Sequence, residues 1–345
     1  MTGQTVLVTG ASGFIAKHVI AELLRRGYAV RGTLRDLTKS DDVRRAVQRA
    51  GASDGADPHQ LTFAAADLLD GKGWDDAAAG CTAIIHTASP FPVQQPDDAN
   101  DVIGPARDGT LRVLNAAARA QCPRVVLTSS TVAVMYAKEY LPGYVFTETD
   151  FTDETREGLT PYIRSKAIAE KAAWHFVKTT PGAPQLTVIA PAFVQGPALD
   201  ADLSTSHELM CLMAAGKYPA SPKITFPVCD VRDVATAHAE AMINPQAAGE
   251  RFIIAEGETR LFDIGQRMVA ECPDLKSKAP KFELPDAAVR ALAVVDKRLR
   301  TILPELGSHR ICSNAKARTV LGLTLRGPDE AITAAARSLR DLKLI

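Results

Sequence analysis

Between residues 5 and 190 the chain alternates short apolar runs with stretches of helical periodicity. That alternation restricts the fold more than any other feature. The runs are Thr5–Thr9, Ala29–Arg35, Leu61–Ala66, Ala83–Thr87, Arg124–Ser129 and Gln185–Ala190, mostly β-branched at their centres. Between them lie helix-length segments such as Phe14–Arg26, with Ile15, Val19 and Leu23 at four-residue spacing, and Gly109–Ala120. Near-continuous apolar strands separated by helices are what a parallel sheet covered on both faces requires. The crossovers are right-handed, so the expected class is α/β, a doubly wound parallel Rossmann sheet.

The pattern loosens after Pro191. Residues 193–227 carry Pro, Gly and Ser among short helical pieces, followed by a strand-like Arg251–Ala255 and helical patterns at Leu261–Glu271, Asp286–Arg300 and Pro328–Leu342. The expected division is a nucleotide-binding domain of residues 1–192 plus 228–256, and a smaller mixed α/β substrate-binding lobe of 193–227 plus 257–345. A length of 345 residues fits two such units.

Composition narrows the function classes. Forty basic residues balance forty acidic ones, which leaves no overall field to attract nucleic acid or an anionic membrane. The longest uncharged stretches, 77–96 and 179–199, are broken by Pro, Gln and Gly and are not expected to cross a bilayer. The chain enters a Val/Leu run within five residues, unlike a signal peptide. Six cysteines without a CxxC pair read as buried thiols in a reducing compartment, so a cytoplasmic protein is expected. Seven histidines form no metal-type pair, and His86, at the end of a strand, reads as a core residue. Asp230, Arg232 and Asp233 read as capping the helix Val234–Met242 and tying the two units together.

Two clusters carry chemistry. Thr9-Gly10-Ala11-Ser12-Gly13-Phe14-Ile15-Ala16 follows the first strand and opens the first helix. One glycine serves the tight turn and the other lets backbone approach a pyrophosphate, with Ala16 small enough to pack helix on strand. At the end of the second strand Arg35 suits a ribose 2′-phosphate and Lys39 adds charge, which favours NADP(H). Asp36 argues the other way, because a carboxylate there accepts from a 2′-hydroxyl. Arg31 reads as a solvated strand residue. The second cluster is Tyr162-Ile163-Arg164-Ser165-Lys166, which puts phenol and ammonium on one helix face. A neighbouring ammonium is expected to lower the tyrosine pKa so that the phenol exchanges a proton with an alcohol or ketone. Thr128-Ser129-Ser130, at the carboxyl end of the fifth strand, supplies a hydroxyl for the reacting carbonyl oxygen.

With these motifs in hand, the sequence resembles the extended short-chain dehydrogenase/reductase superfamily, in particular its dihydroflavonol reductase, cinnamoyl-CoA reductase and methylglyoxal/aldehyde reductase group. The matching pieces are TGASGFIA (Thr9–Ala16), VRGTLRD (Val30–Asp36), ADLLD (Ala66–Asp70), HTASPF (His86–Phe91), RVVLTSS (Arg124–Ser130), YIRSK (Tyr162–Lys166), APAFVQGP (Ala190–Pro197) and DVRDVA (Asp230–Ala235). The C-terminal 110 residues match only loosely, through SNAKARTVLG (Ser313–Gly322).

The resemblance implies that Gly10, Ser12, Gly13, Phe14 and Ile15 bind the pyrophosphate region and that Arg35, with Lys39, meets the 2′-phosphate. Asp67 and Leu68 would flank the adenine, Thr87, Ala88 and Ser89 would line the middle of the cofactor, and Thr128 would also bind it. Tyr162 and Lys166 would hold the nicotinamide ribose, with Pro191 and Val194 beside the nicotinamide. It makes Ser130, Tyr162 and Lys166 the catalytic set, with Ser130 chosen over Ser129. Thr131–Tyr144 departs from the family's substrate-facing segment, so the substrate does not transfer; Phe91, Thr131, Tyr136 and Phe193 are the candidate substrate residues.

The implied activity is NADPH-dependent reduction of a medium-sized, rather apolar aldehyde or ketone to the alcohol by a monomer or homodimer. The rivals are a hydroxysteroid-type alcohol dehydrogenase and a sugar-nucleotide epimerase or dehydratase, the latter lacking an Arg/Lys set for a diphosphate. A protein that senses NADP(H) without chemistry is the non-enzyme rival, and such a sensor has no use for a proton donor.

Overall fold

The computed structural model describes residues 4–52, 60–89, 100–295, 299, 302–303 and 305–345. In chain order its elements are β1 (Thr5–Thr9), α1 (Phe14–Arg25), β2 (Ala29–Leu34), α2 (Ser40–Val47), β3 (Leu61–Ala65), α3 (Trp74–Ala78), β4 (Cys81–His86), α4 (Asn100–Arg119), β5 (Arg124–Thr128), β6 (Val145–Phe146), α5 (Pro161–Thr179) and β7 (Gln185–Pro191). There follow β8 (Phe193–Gln195), α6 (Thr205–Ala214), β9 (Ser221–Pro222), β10 (Thr225–Asp230), α7 (Val231–Ile243), β11 (Arg251–Ile254), β12 (Glu258–Arg260), α8 (Leu261–Glu271), β13 (Glu283–Leu284), α9 (Asp286–Val295), β14 (Ile311–Cys312), α10 (Ala315–Val320) and α11 (Pro328–Asp341).

Seven strands form one sheet in the order β3-β2-β1-β4-β5-β7-β11, and every pairing in it is parallel. Strand periodicity distributes its side chains to two cores. Val6, Val8, Ile85, Val126 and Ile189 enter one beside α1, α2 and α7. Their sequence neighbours Leu7, Ile84, Val125 and Val188 enter the other, beneath α4 and α5. Burying a Leu or Ile of this kind is worth about 1.5–3 kcal/mol, which explains why the strands read as unbroken apolar runs. The expected α/β doubly wound class is the fold observed.

A third core gathers α6, α8 and α11 around Met210, Met213, Ile264, Met268, Ile332 and Leu339, beside a small sheet of order β12-β10-β8. The expected unit boundaries differ from these cores in two places. The boundary at residue 228 falls inside β10, which pairs in the small sheet. Ala317, Leu321, Leu323 and Leu325 pack with the first core, although they lie in the stretch expected to belong to the lobe. Asp230 caps α7 by accepting from the Arg232 amide at 2.8 Å. Asp233 pairs with Arg326, and Arg232 reaches Glu330 on α11 at 3.1 Å, so this segment does tie the cores together.

Helix α4 begins nine residues before the expected Gly109, with Pro105 inside it. Gly104, Pro105 and Gly109 hid the pattern; Gly109 packs closely against Leu68, where an added Cβ would stand 3.1 Å from the Leu68 Cβ.

Candidate active site

In the sheet, β1 and β4 are neighbours, yet the chain leaves β1 toward β2 and leaves β4 toward β5. The loops after them diverge, and such a reversal opens a crevice at the carboxyl ends of the strands. Thr9, the last residue of β1, fixes the geometry there. Its hydroxyl bonds His86 Nδ1 at 2.8 Å and accepts from the Ala88 amide at 3.1 Å, while its carbonyl accepts from the Thr87 hydroxyl at 2.6 Å. Gly10 has φ of +66°, and a Cβ on it would stand 2.9 Å from the Ala88 Cβ, so the turn needs glycine twice over. Helix α1 then starts at Gly13 with no side-chain cap and no acidic residue in its first turn. Its first amide N–H groups and the positive end of its dipole are left for an anion, which fits a pyrophosphate.

A cleft of about 1050 Å³ runs from this turn into the third core. Gly10, Ser12, Gly13, Phe14, Ile15, Arg35, Asp67, Leu68, Thr87, Ala88, Ser89 and Val194, all expected on the cofactor side, line it. So do Ser130 and Tyr162 of the catalytic set, and Thr131, Tyr136 and Phe193 of the substrate set. Four expected residues are not on its wall. Lys39 lies on the exposed 3₁₀ turn Leu37–Lys39. The Thr128 hydroxyl bonds His238 Nε2 at 2.7 Å instead of facing the cleft. Pro191 ends β7, and its carbonyl accepts from Ser130 Oγ at 3.5 Å. Lys166 stands behind Tyr162, with Nζ 6.0 Å from the ring centroid. Phe91 lies outside the described residues.

Arg35 and Asp36, which pull cofactor preference in opposite directions, are separated by their partners. Arg35 is exposed on the cleft wall. The Asp36 carboxylate accepts from the amide and hydroxyl of Thr38, at 2.9 and 2.7 Å, and these bonds hold its pKa below the usual carboxylate value. It caps the 3₁₀ turn and does not line the cleft. An exposed guanidinium at this position fits a 2′-phosphate. Arg31 corrects its sequence reading as a solvated residue: its Nη1 donates to the Ala77 and Ala79 carbonyls, both at 2.8 Å, at the end of α3.

The expected catalytic set is built at the start of α5. Thr160 caps the helix, its hydroxyl accepting from the Ile163 amide at 3.3 Å, and Pro161 occupies the first turn. Tyr162 and Lys166 follow one turn apart. Ser130 begins a short 3₁₀ turn after β5, and its hydroxyl is hydrogen-bonded to the Tyr162 phenol. Burial pushes the Tyr162 pKa up and the Ser130 bond draws it back down, with a net rise. The expected lowering by Lys166 is therefore not found in the protein on its own; burial decides the phenol's state and keeps it protonated. Burial also lowers Lys166, to about 8. His86, beside it, is buried and neutral, its pKa pushed down to about 3 by burial and by the Lys166 charge. The arrangement is a protonated phenol held by a hydroxyl donor, a set able to deliver a proton to an oxygen in the cleft.

Several wall residues carried no sequence signal. Phe226, from β10, stacks on Phe193 with centroids 4.8 Å apart. Glu305 and Arg310 come from a segment that matches no motif, and Glu305 meets Tyr136 across 169 positions of chain. Leu203 and Ser204, at the start of α6, also line the cleft, and the Ser204 cap there was a legible local signal.

The model of the NAD dependent epimerase/dehydratase family matches residues 6–255. A cinnamoyl-CoA reductase of Medicago truncatula is 39% identical over 257 residues, 73% of this chain and 76% of that protein. A putative NADPH-dependent methylglyoxal reductase of Candida albicans is 34% identical over 298 residues, 81% of this chain and 86% of that one. Among solved structures, yeast methylglyoxal/isovaleraldehyde reductase Gre2 complexed with NADPH superposes with a TM-score of 0.79 at 26% identity, covering 99% of this chain and 100% of that one. The glycine turn, the Ser130–Tyr162–Lys166 set and these matches lead to one family, and the chain belongs to the NAD dependent epimerase/dehydratase family, of the extended short-chain dehydrogenase/reductase type.

Proposed function

We propose that the protein is an NADPH-dependent carbonyl reductase that converts an aldehyde or ketone to the alcohol. The observation that carries this is the protonated Tyr162 phenol, hydrogen-bonded to Ser130 on the wall of a cleft that begins at an uncapped helix N-terminus. The names of the relatives, reductases of cinnamoyl-CoA and methylglyoxal, support the same reaction. NADPH, when bound, supplies the hydride that adds to the carbonyl carbon and leaves as NADP⁺.

The chain's own residues do the rest. The α1 amides with Gly10, Ser12 and Gly13 hold the pyrophosphate, and Arg35 holds the 2′-phosphate. Ser130 donates a hydrogen bond to the substrate carbonyl oxygen and fixes it beside Tyr162. Tyr162 delivers the proton that completes the alcohol. Lys166 supplies positive charge that stabilises the phenolate as it forms, and solvent then returns a proton to Tyr162. General acid help of this type contributes about 10²–10⁴ in rate.

An epimerase acting on a sugar nucleotide would need cations for a diphosphate. The substrate wall offers Arg310 beside Glu305, a pair close to neutral. A cytoplasmic site is supported by the six cysteines, all free thiols. The expected assembly is a monomer or a homodimer. No helix of the described residues is long and apolar enough to cross a membrane.

The test is product analysis. The protein is incubated with NADPH and aliphatic, aromatic and ester-bearing carbonyls, and the alcohols are identified by mass. Alcohol formed from at least one class, with NADPH well above NADH, supports the reading. Tight NADPH binding with no alcohol from any class would indicate the cofactor-sensing alternative.

A further inference from the structure

Two helices bring their first turns to the cleft wall: α1 through Phe14 and Ile15, and α6 through Thr205 and Ser206. Residues 196–204 join β8 to α6, and the nucleotide-binding side holds this segment at successive points. His18 Nε2 donates to the Pro197 carbonyl at 3.0 Å, and Arg49 Nη1 donates to the Leu199 carbonyl at 2.9 Å. Lys17 Nζ donates to Asp200 Oδ1 at 2.5 Å. The same oxygen accepts from the Asp202 amide at 3.1 Å, and Asp202, Leu203 and Ser204 then line the cleft. Within α6, the His207 ring meets Phe14 edge-on with centroids 4.5 Å apart. The helix that opens toward the pyrophosphate is thereby tied to the wall on the other side of the cleft.

The Lys17–Asp200 pair is the unusual member of this set. Lys17 is 1% exposed and Asp200 23%, and neither lines the cleft. A lysine is almost never so buried unless it is paired. The attraction within such a pair roughly offsets the cost of desolvating it, so two apolar side chains of similar volume would hold α1 to the segment as firmly. What the pair adds is a defined partner at a defined distance. One carboxylate oxygen links the third residue after Phe14 to the amide of the first wall residue. We propose that Lys17 is a positioning residue: through Asp200 it fixes the wall of Asp202, Leu203 and Ser204 relative to the cofactor helix, and so the space in which a carbonyl substrate meets bound NADPH. This rests on the carbonyl reductase reading and assigns to that site a residue outside the cleft.

The experiment uses Lys17→Met and the double variant Lys17→Met with Asp200→Leu. The double change replaces the pair by apolar side chains, and keeps the question answerable if the single change unfolds the chain. Hydrogen exchange at the amides of residues 202–204 is followed without cofactor. NADPH affinity comes from fluorescence titration, and steady-state kinetics use NADPH with hexanal, benzaldehyde and ethyl 3-oxobutanoate. The expected result is a KM for the carbonyl that rises about 3–30-fold in the folded variants, with faster exchange at 202–204 and NADPH affinity unchanged. The double variant should show this while melting no lower than the wild type. A pair that serves stability alone would lower the Tm of the single variant and leave KM and exchange where they were, and that result would overturn the proposal. A loss of NADPH affinity as large as the rise in KM would also overturn it, because Lys17 would then act on the cofactor. If the wild type reduces none of the three carbonyls, the reductase reading fails, and exchange decides the tie by itself: faster exchange in the variants keeps it, and unchanged exchange overturns both.

Discussion

Ser129 and Ser130 are adjacent in the chain and turn their hydroxyls into different chemistry. Ser129 is buried and donates to Glu170 Oε2 at 2.5 Å, within an ion pair between Glu170 and Arg251. Ser130 lines the cleft and bonds the Tyr162 phenol. Two alanine substitutions should therefore separate activity from stability. Ser130→Ala should lower kcat by about 10²-fold or more with little change in Tm, as expected for loss of a donor to the reacting oxygen. Ser129→Ala should cost about 1–3 kcal/mol of stability, because it leaves a buried carboxylate oxygen one partner short. Thermal melts and initial rates on the pair check this, and the reverse assignment would make Ser129 the catalytic residue.

Arg35 should set the choice of cofactor. Arg35→Ser removes the guanidinium from the cleft wall while Asp36 stays bound to Thr38. Affinity for NADPH should fall about 10–100-fold, the usual worth of a charge-assisted contact, and affinity for NADH should move by no more than about twofold. Fluorescence titration with both nucleotides measures it. An equal loss for both would place the 2′-phosphate elsewhere.

Lys166 should destabilise the protein that it serves. Its pKa is lowered from 10.5 to about 8 by burial, so below pH 8 the folded chain carries a half-buried ammonium that the unfolded chain solvates freely. The sign is therefore opposite to that of a salt-bridged lysine. The penalty is fully present below pH 8 and disappears as pH rises from 8 to 10.5. Lys166→Met should raise stability without cofactor by on the order of 2 kcal/mol at pH 7, with the gain fading toward pH 10.5, while turnover is lost. Urea midpoints across that range test it; a destabilised variant at pH 7 would mean that Lys166 makes contacts worth more than its burial costs.

Four buried histidines should make the fold sensitive to mild acid. Burial lowers His86 to about 3 and His18, His207 and His238 to about 4. On unfolding each takes up a proton at any pH between its folded value and 6.5. Stability should therefore fall as pH drops from 6.5 toward 4, by about 1.4 kcal/mol per pH unit for each histidine engaged. The slope of unfolding free energy against pH gives the proton count directly, and a flat profile between 6.5 and 5 would contradict the neutral, buried state of these rings.

What the sequence made legible was what is local. Strand periodicity, the glycine turn and the four-residue spacing of Tyr162 and Lys166 each sit within a few residues, so the sheet and the head of the cleft followed from them. Helix α4 was cut short because Gly104, Pro105 and Gly109 mask its period, although tertiary packing on α5 sustains it. The direction of the Tyr162 pKa shift is not legible from sequence, because a neighbouring charge can be read from spacing whereas burial cannot. Glu305 and Arg310 were invisible because their partner, Tyr136, lies 169 positions away from Glu305 and no motif joins them. The glycine-turn end of the cleft is thus written in short motifs, while its far wall is written in contacts between distant segments.

The most direct measurement is the initial rate of NADPH oxidation, followed by absorbance, with a reducible carbonyl for wild type and Tyr162→Phe side by side. NADPH affinity is measured on both proteins. The expected result is turnover in the wild type that falls about 10²–10⁴-fold in the variant at unchanged NADPH affinity, since only the proton donor is removed. A variant that retains more than about a tenth of the wild-type rate would contradict the assignment of Tyr162 as the acid, and with it the proposed reaction at this site.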